Sequence, residues 1–324
     1  MFKHLLIPLD GSKLAESPLP TASTIARQEQ AKVTLLHVIE EGATESVHGE
    51  RHLTQAGEAA SYLEKITQEF FQGCTVERHV HTAAIKDVAK SIVDHCNEMG
   101  ADVIVLSTHG KSGLKSMLFG SIAQHVLTEG NLPVLLTRAR QAGSAPSGAL
   151  QRIMVLLDGN SEHEAGLRAA VDLARELKCE LELLMVVPTL ATLSGTRGAT
   201  GTFLPSSTRE MLDMDEDDAK KYLLAQMRSP ELKGLAVGAR VLRGDPLTEI
   251  VTAAESSKPD IIAMATHGKT STAAFWSGSL TPKLIERLTG VAMLLVPVTS
   301  RRGDGETGRR GETTPRRGES EPRP

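Results

Sequence analysis

Aromatic side chains are scarce, at 3% of the chain with one tryptophan and two tyrosines. That argues against the stacking platforms on which single-stranded nucleic acids are held. Excess positive charge is missing too: the formal net charge is -4, so no broad basic surface awaits a phosphate backbone. Three cysteines, Cys74, Cys96 and Cys179, lie far apart without a CxxC pair and read as reduced thiols. No apolar run approaches the roughly 20 residues needed to cross a bilayer. The apolar part of Met1 to Pro8 is too short for a signal peptide. These absences lead us to expect a bacterial or archaeal cytoplasmic protein with neither nucleic acid nor membrane as partner.

Several signatures of chemistry are absent as well. There is no Walker A pattern G-x4-G-K-[ST], and no G-x-G-x-x-G directly after the first strand, which demotes a dinucleotide dehydrogenase. No HExxH or His/Cys cluster is visible, so no metal ligands are assigned. His109 and His267 follow strand ends, and His79 and His81 alternate on a strand and read as surface residues. Ser112 and Ser121 have no evident base and no G-x-S-x-G elbow, so no catalytic residue is assigned.

What remains is a soluble-type composition, 40% hydrophobic and 23% charged over 324 residues, enough for two domains. The apolar runs Leu5–Leu9, Val33–Ile39, Thr75–Val80, Ala101–Leu106 and Leu132–Thr137 read as strands. Between them, helical spacing covers Leu14–Gln28, Leu53–Phe71, Ala84–Met99 and Ser121–Thr128, with a charged loop over Glu40–Glu50. The pattern restarts at Ile153–Leu157. Strands follow at Leu181–Val187, Ala236–Leu242, Ile261–Ala265 and Ala292–Val296, and helices at Glu162–Leu177, Arg209–Met227, Pro246–Ser256 and Leu280–Leu288. Such alternation predicts two tandem α/β domains, each a doubly wound, Rossmann-like parallel sheet covered on both faces. The boundaries are 1–140 and 151–299, joined by a small-residue linker over 141–150 and followed by an Arg-Gly-acid tail, 300–324, expected to be disordered.

The chemistry gathers where strands end. Ser107-Thr108-His109-Gly110-Lys111-Ser112-Gly113 follows the fourth strand and runs on to Gly120-Ser121. The design returns as Ala265-Thr266-His267-Gly268-Lys269 and Gly278-Ser279, so the chain is a duplication. A glycine-bearing loop entering a helix can converge unpaired amides on an anion, and we read it as a phosphate cradle. Alternatively it is a βα loop with glycines at positive φ and a serine cap, although ten residues exceed what such a connection needs. Lys111 and Lys269 either pair with phosphate or are simply solvated. Asp10 and Asp158, each closing a first strand before glycine, are either turn acids or acceptors for ribose hydroxyls.

Together, Ile7-Pro8-Leu9-Asp10-Gly11-Ser12, Leu36-His37-Val38, Val105 to Gly110, Gly120-Ser121 and Pro133-Val134-Leu135 resemble the universal stress protein family. The second copy matches through Asp158, Val186, Thr266-His267-Gly268 and Gly278-Ser279. The resemblance implies an ATP-binding stress-response sensor or adaptor without dedicated catalysis. It implies that Pro8 and Asp10 border the adenosine and ribose, and that Val38 meets the adenine through its backbone. Leu106, Ser107, Gly110, Lys111 and Gly113 would line the nucleotide, with Gly120, Ser121 and Ile122 on the phosphates. A weaker second site would use Asp158, Val186, Met264, Ala265, Gly268, Gly278, Ser279 and Leu280. The family's first loop glycine is Ser107 here and Ala265 in the second copy, and Thr272 stands where the first copy has Gly113. Magnesium or manganese would accompany a bound triphosphate. The last strands of the copies would pair as an internal pseudo-dimer, Val134–Leu136 against Met293–Val296, with room for a homodimer and an unknown protein partner. The insertion Thr189–Ser207 would cover part of the second crevice. The rival readings are a slow ATPase or nucleotide-activating enzyme, and a nucleotide-free interaction scaffold.

Overall fold

The computed structural model describes residues 2–44, 46–47, 49–108, 121–129, 131–138, 149–193, 199–200, 202–267, 280–288 and 290–298. In the first half, strands β1 (His4–Pro8), β2 (Lys32–Glu40), β5 (Thr75–Ile85), β6 (Val103–Thr108) and β7 (Val134–Arg138) alternate with helices. The helices are α1 (Leu19–Glu29), α2 (Ala56–Phe70), α3 (Val88–Met99) and α4 (Ser121–Glu129). A two-residue hairpin, β3 (Ser46–Val47) with β4 (Glu50–Arg51), sits in the loop after β2. The second half repeats the plan with β8 (Arg152–Leu156), β9 (Glu180–Val187), β10 (Val237–Arg243), β11 (Ile261–His267) and β12 (Ala292–Val298). Its helices are α5 (Ala165–Leu177), α6 (Pro205–Met227), α7 (Pro246–Ser257) and α8 (Leu280–Arg287).

Ten strands form one sheet in the order β10-β9-β8-β11-β12-β7-β6-β1-β2-β5. Within each half neighbours are parallel, and the halves meet where β12 runs antiparallel to β7, pairing Met293 with Leu136, Leu294 with Leu135 and Leu295 with Val134. The last strands therefore pair as the resemblance implies. Two apolar layers cover the sheet and both continue across the seam. One gathers α1, α2, α5 and α6 over Ile7, Val105, Val155 and Ala263; the other gathers α3, α4, α7 and α8 over Leu6, Ile104, Met154 and Ile262. Residues buried on both faces explain why these strands read as apolar runs.

Several element ends depart from the sequence expectation. Helix α1 starts at Leu19, five residues late, because Pro18 and Pro20 have no N–H for a helix running through Leu14 and fit only its first turn. Strand β5 runs on to Ile85, so α3 begins at Val88, where the Asp87 carboxylate accepts from the Lys90 amide at 2.9 Å. Helix α6 begins at Pro205, four residues early. Most of the linker, the whole C-terminal tail and part of the Thr189–Ser207 insertion lie outside the described residues. At the insertion's described start, the Thr192 hydroxyl bonds the Gly244 carbonyl at 3.2 Å.

The repeat extends to details. Asp102 accepts from the Lys3 amide at 2.7 Å and the His4 amide at 3.3 Å, and Asp260 accepts from the Gln151 and Arg152 amides at 2.7 and 3.0 Å. Each carboxylate ties down the amino end of its half's first strand. Cys96 and Cys179 are buried free thiols whose pKa values burial pushes up to about 12, and Cys74 is free and half-buried.

Candidate functional site

In each half the strand order reverses beside the first strand, between β1 and β6 and between β8 and β11. In an open α/β sheet that reversal leaves a crevice beyond the strands' carboxyl ends. The pairing marks its start. β1 and β6 pair at Leu5 with Val103 and Leu6 with Ile104, whereas β1 stays with β2 as far as Pro8 and β6 stays with β7 as far as Thr108. Past Leu6 and Ile104 the two strands follow different neighbours. Pro8 and Asp10 fall on one lip of the opening, Leu106 and Ser107 on the other. In the second half the same parting follows Val155 and Ala263, with Asp158 on one lip and Met264 and Ala265 opposite.

The first lip is fixed by local chemistry. Gly11 has φ +92, and a β-carbon there would come within 2.8 Å of the Leu53 side chain, so the turn requires glycine. It lets Asp10 curl back: its Oδ1 accepts from the Ser12 amide at 2.8 Å and the Ser12 hydroxyl at 2.7 Å. Asp10 is half-buried while Ser12 is fully buried. Beneath them lies His37, buried on β2, with Nδ1 2.7 Å from the Leu9 carbonyl and Nε2 2.9 Å from the Leu53 carbonyl. Carbonyls only accept, so whichever ring nitrogen bears a proton donates, Nδ1 toward the strand end or Nε2 toward the entry to α2.

The second copy differs at its acid. Asp158 is exposed, with Oδ1 accepting from the Asn160 amide at 3.0 Å and Oδ2 lying 2.5 Å from His163 Nδ1. Met185 replaces His37 here, and its methyl group lies 3.5 Å from where a Gly159 β-carbon would be. Gly166, in the first turn of α5, packs against the opposite lip. A β-carbon there would sit 2.8 Å from the Ala265 nitrogen and the Met264 carbonyl carbon.

Around these lips, Val38 and Leu106 are buried in the same apolar layer, Ser107 is half-buried, and Val186, Met264 and Ala265 are half-buried. The Met264 sulfur receives the Thr281 hydroxyl at 3.7 Å. Helix α4 begins at Ser121, with Ile122 exposed, and α8 begins at Leu280, which is half-buried. Gly110, Lys111, Gly113, Gly120, Gly268, Lys269, Gly278 and Ser279 lie outside the described residues.

Two groups of residues escaped the sequence reading. The chain's two tyrosines occupy matching places. Tyr62 of α2 donates to Glu16 Oε1 at 3.3 Å, and Tyr222 of α6 donates to Glu164 Oε1 at 2.8 Å. Burial, helped by the neighbouring carboxylate, holds both hydroxyls well above the usual tyrosine pKa. Each pair ties a helix to the turn beside its half's aspartate; the equal spacing of Asp10 to Glu16 and Asp158 to Glu164 was the signal available.

The second group corrects the expectation that no metal-ligand cluster exists and that His79 and His81 are surface residues. Both are half-buried and meet His95 of α3, one nitrogen from each ring lying within 4.8 Å of the other two. The pKa of His79 is lowered, first by burial and then by His95 and His81. An H-x-H on a strand, followed by a histidine on the covering helix, was the visible trace.

The family model for the universal stress protein family matches the chain twice, over residues 1–138 and 149–296. Universal stress protein YxiE of Bacillus subtilis is 30% identical over 153 residues, which covers 43% of this chain and all of that protein. A universal stress protein of Methanocaldococcus jannaschii is 29% identical over 148 residues, covering 43% of this chain and 83% of its own length. Among solved structures, a universal stress protein from Archaeoglobus fulgidus aligns over 94% of this chain and 97% of its own, with TM-score 0.60 and 18% identity, a likeness of fold. Two family-length matches in series, on halves that repeat one strand order and one set of clasps, make the conclusion plain: the chain belongs to the universal stress protein family.

Proposed function

We propose that this chain binds an adenine nucleotide, ATP, in the crevice of its first half and acts as a stress-response sensor or adaptor that retains the nucleotide. The observation that carries this reading is the parting of β1 and β6 beyond Leu6 and Ile104, with Asp10 on one lip and Ser107 on the other. The described residues fit such a ligand. Asp10 has one carboxylate oxygen pinned by Ser12, which fixes the group's direction for accepting ribose hydroxyls. Val38 keeps its side chain in the apolar layer, consistent with adenine meeting its backbone. Helix α4 starts at Ser121, directly after the loop we assign to the phosphates, and the first-turn amides of a helix have no partner within it. Lys111, Gly113 and Gly120 belong to that loop on this reading. A hard cation such as magnesium or manganese would accompany the triphosphate.

The second crevice is the weaker site on this view. Asp158 is exposed where Asp10 is half-buried, and Gly166 sits close against the backbone of the Met264–Ala265 lip. The test is to purify the tag-free chain, denature it and identify released small molecules by mass. ATP or ADP near one equivalent per chain is the expected result. Consistent absence of nucleotide, with none taken up on incubation, would favour the nucleotide-free scaffold.

A further inference from the structure

Strand β5 is one edge of the ten-stranded sheet, and its two faces carry different chemistry. Val76 and Val80 pack into the α2 layer, while His79 and His81 turn toward α3 and His95. The His79 and His95 ring centroids are 4.9 Å apart, as are those of His81 and His95, the latter pair edge to face. His95 Nδ1 donates to the Ser91 carbonyl at 2.7 Å, one turn back on α3. In the neutral ring this leaves a lone pair on Nε2, and that nitrogen is 3.2 Å from His81 Nδ1. His81 Nε2 is buried and has no hydrogen-bond partner.

Three features of this group are those of a metal site. Ligating histidines commonly anchor their second nitrogen on a backbone carbonyl, as Ser91 anchors His95. Two imidazole nitrogens on one tetrahedral zinc ion, each about 2.0–2.1 Å from it, lie about 3.3 Å apart. The His81–His95 separation already matches that spacing. A nitrogen of His79 lies within 4.8 Å of those two, so one nitrogen from each of the three rings converges on a single point.

We propose that His79, His81 and His95 form a three-imidazole site for zinc, or another borderline divalent transition-metal ion, with water in the fourth position. Imidazole selects such ions over calcium and magnesium, which prefer oxygen. His79 and His81 are half-exposed at the sheet edge, which gives the ion and its water a path in. Bound there, the ion clamps the edge strand to α3. Because His81 pairs in register with Val38, it also braces β2. This site stands whether or not nucleotide binds the first crevice.

The test uses the tag-free full chain, stripped with a chelator, dialysed and titrated with zinc chloride in a calorimeter. One tight equivalent is expected. His79→Ala and His81→Ala should each weaken binding by at least about tenfold, and His125→Ala, an exposed histidine of α4, should leave it unchanged. Cobalt(II) supplies a second readout that does not depend on a variant folding: the stripped wild-type chain should develop the strong visible bands of a four-coordinate ion. Absence of stoichiometric zinc binding, affinity unchanged from the wild-type chain in both cluster variants, or only the faint spectrum of six-coordinate cobalt would overturn the assignment.

Discussion

At the scale of single residues, the repeated Glu–Tyr clasps make the sharpest claim. Each buries a phenol against a carboxylate, so replacing Tyr62 or Tyr222 by Phe should cost about 1–2 kcal/mol, read as a lowered denaturant midpoint. The pH dependence has a definite sign. Both hydroxyls have folded-state pKa values above their ordinary 10.0, so the unfolded chain loses these protons first. Their stabilisation is intact below pH 10 and lost as pH rises further. The doubly substituted Tyr62→Phe, Tyr222→Phe chain should therefore be less stable at neutral pH yet decline less steeply between about pH 10 and 11. An unchanged alkaline slope would assign the decline to other groups. These clasps were hidden in the sequence because each joins residues from separate elements. The Asp-Gly turns were legible, because Gly11 and Gly159 carry a local backbone demand that the dipeptide itself announces.

At the scale of elements, packing decides where local pattern is ambiguous. The apolar strands were legible because burial on both faces leaves an unbroken run, but the starts of α1 and α3 were not. A 3.6-residue spacing can be drawn through Leu14 or Ala84; proline chemistry stops the first, and continued pairing of β5 with β2 removes the second. Gly166 and Gly57 give an element-level test of opposite sign. Gly166→Ala forces a β-carbon into the backbone at Met264 and Ala265, so it should destabilise by about 1–3 kcal/mol. Gly57→Ala, in the first turn of α2 with nothing within 4 Å, should stabilise by about 0.5 kcal/mol. Thermal melts of the two variants shifting in the same direction would contradict this account of α5 seated on β11. The histidine cluster belongs to this scale too. H-x-H was visible, but which helix covers β5 is a property of topology.

At the scale of the whole molecule, the duplication is expressed as one continuous sheet. The halves meet through the antiparallel β7–β12 pair, the Arg138 side chain bonds the Glu286 carbonyl at 2.6 Å, and each apolar layer spans both halves. Shared layers make the halves cooperative, so calorimetry should give a single unfolding transition, with near- and far-ultraviolet dichroism lost together. Two separated transitions would mean that the seam contributes little. Among the described residues no helix is long and apolar enough to cross a membrane.

Duplication also allows the copies to diverge, and the two acids already differ: Asp10 is half-buried and held by Ser12, Asp158 exposed and held by Asn160 and His163. The most direct measurement is a calorimetric titration of ATP, with magnesium, into nucleotide-free wild-type chain and into the Asp10→Ala and Asp158→Ala variants. We predict one dominant site whose affinity falls at least about tenfold in Asp10→Ala, by loss of a hydrogen bond to a charged acceptor, and stays at the wild-type value in Asp158→Ala. No ATP binding by the folded chain, or loss confined to Asp158→Ala, would contradict the assignment of the first crevice.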